Sequence, residues 1–217
     1  MKEKTVFRRI GITGGIASGK STVTAWLKTH GYPVWDADAI YETLTAKGSP
    51  LLQQIAGRFG PQALTADGTL HRSYLAERVF SDPVARKALD ALTHPAVYQE
   101  MARQAAAWEE MQRANTTSTN RSELLFFDVP LLLETHEDAT VLHLDHIWLV
   151  HTSPEVQIER LMARNLFSAE EAKRRIASQM PLAEKQALAD VLINNDGNRQ
   201  QLAKRIEECI EGEYRHV

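Results

Sequence analysis

The chain has a single cysteine, Cys209, in 217 residues. A disulfide framework and a thiolate-based zinc cluster both need more sulfur than that, so both are excluded. Cys209 lies in a charge-rich helical stretch near the C-terminus, where a small, partly buried hydrophobe is expected. Long apolar runs are missing as well. After MKEKTVFRR only the short run 10–13 precedes Gly14-Gly15, which is no signal-peptide core, and no stretch approaches the roughly 18 apolar residues of a membrane span. A cytoplasmic protein with no membrane partner is the expectation. Nor is there an excess of positive charge: 25 Lys and Arg stand against 28 Asp and Glu, a net charge of −3. That balance gives no bulk attraction to nucleic acid, so an anionic ligand has to find a local positive site. What is present is ordinary for a folded domain, 43% hydrophobic and 24% charged, at a length that suits one large domain or a core with one insertion.

Residues 6–13 combine β-branched and apolar side chains and stop at Gly14-Gly15, the pattern of a buried strand running into a glycine turn. Residues 20–30 carry Val23, Trp26 and Leu27 at helical spacing and end at Gly31. A second short strand at 33–35 brings Asp36 and Asp38 out at its carboxyl edge. From 39 to 115 the pattern is helical, interrupted at Gly48-Ser49-Pro50, Gly60-Pro61, Asp67-Gly68 and Asp82-Pro83. The longest helix is expected after His94-Pro95, with Val97, Met101, Ala105, Trp108 and Met111 as its core stripe. A polar loop at 115–120 leads back to apolar runs at 124–127 and 147–150, which fit strands covered on both faces. Helices over 156–164 and 164–186, a strand at 191–193 and an amphipathic helix over 199–211 complete the chain. Strands alternating with helices around one helical insertion predict an α/β, doubly wound parallel sheet of about five strands, with its ligands beyond the carboxyl ends of the strands. Gly14, Asp38 and Asp128 fall at that edge.

Residues 14–21, GGIASGKS, match G-x-x-x-x-G-K-[ST] between a predicted strand and a predicted helix, the setting in which the motif holds polyphosphate. Gly14, Gly15, Ala17, Ser18 and Gly19 form a bend whose amides turn inward, and the next helix adds its positive end. Lys20 is placed to reach the β- and γ-phosphates, Ser21 to ligate magnesium, and Thr22 to touch the α-phosphate. The second glycine of a dinucleotide fingerprint is missing at both Ile16 and Ala17. Asp128, ending an apolar strand, stands where a carboxylate meets the metal, directly or through water. Transfer to an alcohol needs a proton acceptor, and Asp36 and Asp38 are both candidates that pattern does not separate. Arg160 and Arg164, four apart on a helix, face the same way and are suited to clamp a transferring phosphoryl group; Lys173, Arg174 and Arg175 extend that basic character. His136, His143 and His146 with Asp138 and Asp145 are read as loop and strand-edge residues, because strand spacing puts His143 and His146 on opposite faces. No N-K-x-D guanine motif occurs, against a GTPase-like switch.

Taken together, ITGGIASGKST, VWDAD, DGTLHRSYLAERVF, His94-Pro95, DVPLLLE at 128–134, VQIERLMARN and LINNDG at 192–197 resemble the dephospho-CoA kinase family along almost the whole chain. The resemblance implies a P-loop NTPase-type core at 1–45 and 118–217, a helical lid at about 160–186 within it, and a helical CoA or acceptor-binding domain at 46–117. It implies ATP and dephospho-CoA as substrates and Mg²⁺ with the nucleotide; the sequence leaves the oligomeric state open, with a monomer favoured. It selects Asp38 as the base and makes Lys20, Arg160 and Arg164 the other catalytic residues. It places Thr13 near the reacting groups, Arg72 and His94 among the acceptor contacts, and Asn195 and Gly197 in a loop bordering the adenine. A kinase of similar build acting on another small acceptor, such as a nucleoside monophosphate, is the rival reading. Two features depart from the family. Many members have glycine where Ala17 stands, so a negative φ is expected there if nucleotide affinity is to be kept. The histidine-rich segment 136–146 is unlike the family and receives no function.

Overall fold

The computed structural model describes residues 7–114 and 124–215, so the polar loop expected at 115–120 lies outside the described residues. The strands are β1 (Arg8–Gly14), β2 (Val34–Asp36), β3 (Leu124–Asp128), β4 (His146–His151) and β5 (Val191–Asn194). The helices among the described residues are α1 (Lys20–Thr29), α2 (Ala37–Leu44), α3 (Pro50–Phe59), α4 (Arg72–Ser81), α5 (Pro83–Ala114), α6 (Pro154–Asn165), α7 (Ala169–Ala177), α8 (Leu182–Leu188) and α9 (Arg199–Arg215).

All five strands pair in parallel in the order β2-β3-β1-β4-β5, the doubly wound α/β architecture expected from the sequence. Side chains alternate across a strand, and β3 shows the result. Leu124 and Phe126 join Ile10, Ile12, Val23, Leu27 and Trp148 on the face covered by α1 and α9. Leu125 and Phe127 join Val97, Met101 and Ala105 on the opposite face, under α2 and α5. Burial on both faces is why these strands read as unbroken apolar runs. The connection from β1 leads to β2 on one side and that from β4 leads to β5 on the other, so a crevice opens at the carboxyl edge beside β1.

Helices α2–α5 lie within residues 37–114, after β2 and before β3 in the chain. Ser49 caps α3 by accepting the Leu52 amide at 3.3 Å, with Pro50 in the first turn. Leu51, Ile55, Ala63 and Leu75 form a small apolar cluster of their own there.

Several local expectations are corrected. α5 runs unbroken through Pro95 rather than starting after it. An interior proline costs about 3 kcal/mol, and here buried Thr93, Val97 and Tyr98 on both sides of it are held by packing against the rest of the fold. Met111 is half exposed and leaves the core stripe. The stretch 164–186 is broken twice, because Leu166 adopts a left-handed φ of 56° and Pro181 stands at the start of α8. His143 sits off the strand at a φ of 49°, while His146 opens β4.

α9 extends past residue 211 because Glu213, polar in the sequence pattern, is 2% exposed. Arg8 Nη1 and Trp148 Nε1 donate to its carboxylate at 2.9 Å, and His146 Nδ1 lies 2.9 Å away. Burial alone would raise the carboxyl pKa; the bonds from Trp148, His146 and Arg8 outweigh it and hold the group below the usual range. His146 thus has a structural place. Cys209 packs against the same core, and burial pushes its thiol up to about 11.

Candidate active site

The loop between β1 and α1 is shaped by contacts on its outer side. Gln157 Nε2 donates to the Ile16 carbonyl at 2.8 Å. Arg160 Nη1 donates to the carbonyls of Ala17 at 3.3 Å and Ser18 at 3.2 Å, and Asn195 Nδ2 donates to that of Ser18 at 2.8 Å. In a planar trans peptide the carbonyl and the next residue's N–H point opposite ways. Pinning these carbonyls outward therefore turns the amides of Ala17 and Gly19 the other way, while the Ser18 amide closes on the Gly15 carbonyl at 3.0 Å. Gly19 stands at the cap position of α1, which has no side-chain cap and no acidic residue in its first turn, so its amides and positive end stay free for an anion. Glycine is required at two places. Gly19 has a φ of 92°, and a Cβ there would collide with Asn195 Nδ2. A Cβ on Gly14 would lie 2.5 Å from Ser18 Oγ and 2.6 Å from the Val150 carbonyl.

The negative φ expected at Ala17 is not found: its φ is 58°. The anchored carbonyls impose this turn, and the methyl group costs about 1–2 kcal/mol in left-handed backbone. That cost falls on the loop's stability, because the Ala17 amide still points away from the pinned Ile16 carbonyl.

The loop borders a cavity of about 830 Å³ that Asp38, Pro130, Arg160, Arg164, Asn195 and Gly197 also line. Ser21 and Thr22 line it from the start of α1. Lys20 reaches across the loop to the carboxylate of Asp128, which is 4% exposed at the end of β3. The two aspartates left open by the sequence do different things. Asp36 Oδ1 caps α2, accepting the amides of Asp38 at 3.0 Å and Ala39 at 3.2 Å. Asp38, the second residue of α2, borders both this cavity and a second one of about 270 Å³ lined by Tyr41, His94, Tyr98 and Pro130. Burial raises its pKa above the usual carboxylate value; Lys20 opposes that, and Asp36 and Asp128 add to it.

The remaining candidates are distributed as follows. Arg160 is committed to the loop and, through Nη2, to the Asn195 carbonyl at 2.8 Å, whereas among the described residues Arg164 bonds its neighbour Asn165 at 2.9 Å and borders the cavity. Thr13 is fully buried and donates to the Pro130 carbonyl at 3.0 Å. His94 lies 3.2 Å from Asp138 and 3.7 Å from Asp90. Arg72 pairs with Glu42 at 3.4 Å and lies over the ring of Tyr41. Sequence reasoning missed Gln157 and Gln179, the latter accepting the Ile16 amide at 2.8 Å. Gln157 stands three and seven residues before Arg160 and Arg164, the same helical face, and that spacing is a signal that could have found it.

The donors near Lys20 suit magnesium. Ser21 offers a hydroxyl and Asp128 a carboxylate, hard oxygen ligands both. Among the described residues no cluster of three or more His, Cys, Asp or Glu side chains forms a closed cage. Magnesium does not need one, since it keeps waters and takes one or two carboxylates plus substrate phosphate oxygens.

The sequence profile of the dephospho-CoA kinase family matches residues 8–201. A dephospho-CoA kinase of Shouchella clausii is 41% identical over 203 residues, covering 93% of this chain and 96% of its own. A Streptococcus agalactiae dephospho-CoA kinase is 40% identical, covering 93% of this chain and 97% of its own. Among solved structures, a Thermus thermophilus protein is 35% identical with a TM-score of 0.74, over 96% of this chain and 98% of its own. Dephospho-CoA kinase from Campylobacter jejuni is 25% identical with a TM-score of 0.66, over 94% of this chain and 95% of its own. Shikimate kinase from Acinetobacter baumannii, 15% identical with a TM-score of 0.53 over 98% of this chain and 97% of its own, shares the fold. With a five-stranded parallel sheet, a glycine loop opening onto an uncapped helix and these relatives over nearly its whole length, the chain belongs to the dephospho-CoA kinase family.

Proposed function

We propose that this chain transfers the γ-phosphoryl group of ATP to the 3′-hydroxyl of the ribose of dephospho-CoA, giving coenzyme A and ADP. The observation that carries this reading is the position of Asp38, bordering both the phosphate-loop cavity and the neighbouring one. The amides of the loop and of the first turn of α1 hold the β-phosphate, and Lys20 leaves Asp128 for the β- and γ-oxygens. Asn195 and Gly197 border the adenine. Magnesium, when bound, neutralises charge on those oxygens, and Ser21 and Asp128 are the residues that would hold it. The acceptor enters through the second cavity, with His94 and Tyr98 on its wall and Arg72 and Thr13 supporting its edge from α4 and β1. Its 3′-oxygen forms a bond to the γ-phosphorus as the bond to the ADP oxygen breaks, and the hydroxyl proton passes to Asp38. Arg164, free of the loop, faces the transferring group, while Arg160 serves it by fixing the loop. Residues 46–117 act as the acceptor domain and the stretch at about 160–186 as the lid that excludes water. No helix among the described residues is long and apolar enough to cross a membrane. The same reading makes the chain a cytoplasmic enzyme acting on small molecules; it leaves the oligomeric state open, with a monomer favoured.

The acceptor panel tests it. ADP release is measured with dephospho-CoA, AMP, UMP and CMP supplied one at a time. Dephospho-CoA is expected to give turnover about 10²-fold above the others, as several lost acceptor contacts would do. Equal or faster turnover with a nucleoside monophosphate would establish the rival kinase instead.

A further inference from the structure

Lys185, on α8, is 1% exposed, and its ammonium lies 2.6 Å from Glu134 Oε1. The contact is out of line, so Lys185 Nζ and both Glu134 oxygens are buried without a well-aligned hydrogen bond. Glu134 closes the segment that begins at Asp128 and contains Pro130, which borders both cavities. Six residues before Lys185, Gln179 accepts the Ile16 amide of the phosphate loop at 2.8 Å. Met180, Pro181 and Leu182 run between the two contacts and line a cavity of about 300 Å³ together with Gly15 and Ser18 of the loop and His151. α7 packs chiefly on α6, the helix that carries Arg164. The α6–α7 arm, whose near end holds the phosphate loop through Gln157 and Arg160, is thus fastened twice more at its far end, once to the phosphate loop and once to the turn after Asp128.

A buried ion pair is a poor source of stability. Taking two charges out of water costs about as much as their attraction returns, and apolar replacements of similar volume are often as stable or more so. Such a pair does fix one arrangement of the elements that it joins. We propose that Lys185 and Gln179 are positioning residues, setting the register of the α6–α7 arm against the phosphate loop and the Asp128 turn so that the arm closes with Arg164 over the transferring group. The proposal rests on the kinase reading for the identity of that group.

The decisive variants are the apolar swap Lys185→Met with Glu134→Leu, and Gln179→Ala, which uncovers one amide and buries no charge. Thermal melting, turnover with dephospho-CoA, ADP release without acceptor, and hydrogen exchange across α7 with and without a non-hydrolysable ATP analogue are measured on each variant and on the parent. The swap is expected to melt at or above the parent temperature, and both variants to lose turnover by about 10- to 10²-fold. The acceptor-free share of ADP release rises, and the analogue no longer slows exchange in α7 as it does in the parent. Parent-like turnover, acceptor-free release and α7 protection in both variants would overturn the proposal and leave the contacts purely structural. If the swap does not fold, Gln179→Ala decides by the same readouts. A parent without dephospho-CoA-dependent turnover contradicts the kinase reading, whereas the α7 exchange, which involves no acceptor, still judges the fastening by itself.

Discussion

Asp38→Asn is expected to lower turnover by about 10²–10⁴-fold, the usual contribution of a positioned base, with ATP affinity close to that of the parent. The substitution keeps the side chain's shape and leaves the cap of α2 intact, because that cap is Asp36 and not Asp38. Only the capacity to take a proton is lost. A pH profile adds an independent sign. Burial raises the Asp38 pKa, with Lys20 opposing and Asp36 and Asp128 reinforcing, so the base is protonated, and turnover lost, as pH falls through a value above the ordinary one. That acid limb is expected in the parent and absent from the residual activity of the asparagine variant. Steady-state kinetics with dephospho-CoA and calorimetric titration with ATP check both halves. Equal turnover by variant and parent would remove Asp38 from its role.

Lys20→Ala is expected to damage binding and turnover together. A hydrogen bond to a charged group contributes about 1.5–3 kcal/mol, so nucleotide affinity falls by about tenfold to a hundredfold. Turnover falls by about a further 10²–10³-fold, the cost of losing a donor aimed at developing charge. The variant also strands Asp128, 4% exposed, without its ammonium partner, so some loss in melting temperature accompanies these effects. The contrast between the two variants is the test. Asp38→Asn separates chemistry from binding and Lys20→Ala does not; a Lys20→Ala chain that binds ATP like the parent would contradict the role given to the loop.

The legible parts of the molecule are those in which a local pattern carries the physics. β3 reads correctly because burial on both faces demands apolar side chains at successive positions, and the loop because glycine is the residue that tolerates its φ of 92° at position 19 and the close contact at 14. Which of Asp36 and Asp38 caps α2 was not legible in the pattern, since it depends on where α2 begins, which shifts by one residue without changing the pattern. α5 hides its continuity for a related reason: Pro95 looks like a stop, and only the packing of both halves carries the helix through. The burial of Glu213 and Lys185 is not legible in the sequence, because their partners, Arg8 and Glu134, lie far away along the chain. Gln157 and Gln179 were missed on the same ground, as each acts on a single loop residue more than 140 positions away.

The central claim is that the amides of this loop and the first turn of α1 hold the phosphate chain of ATP. A crystal structure of the chain with a non-hydrolysable ATP analogue tests it most directly. The β-phosphate oxygens are expected at about 3 Å from the amides of Gly19 and Lys20, with Lys20 turned from Asp128 toward the γ-phosphate. An analogue bound elsewhere, or a loop bearing phosphate with Lys20 still on Asp128, would contradict the account.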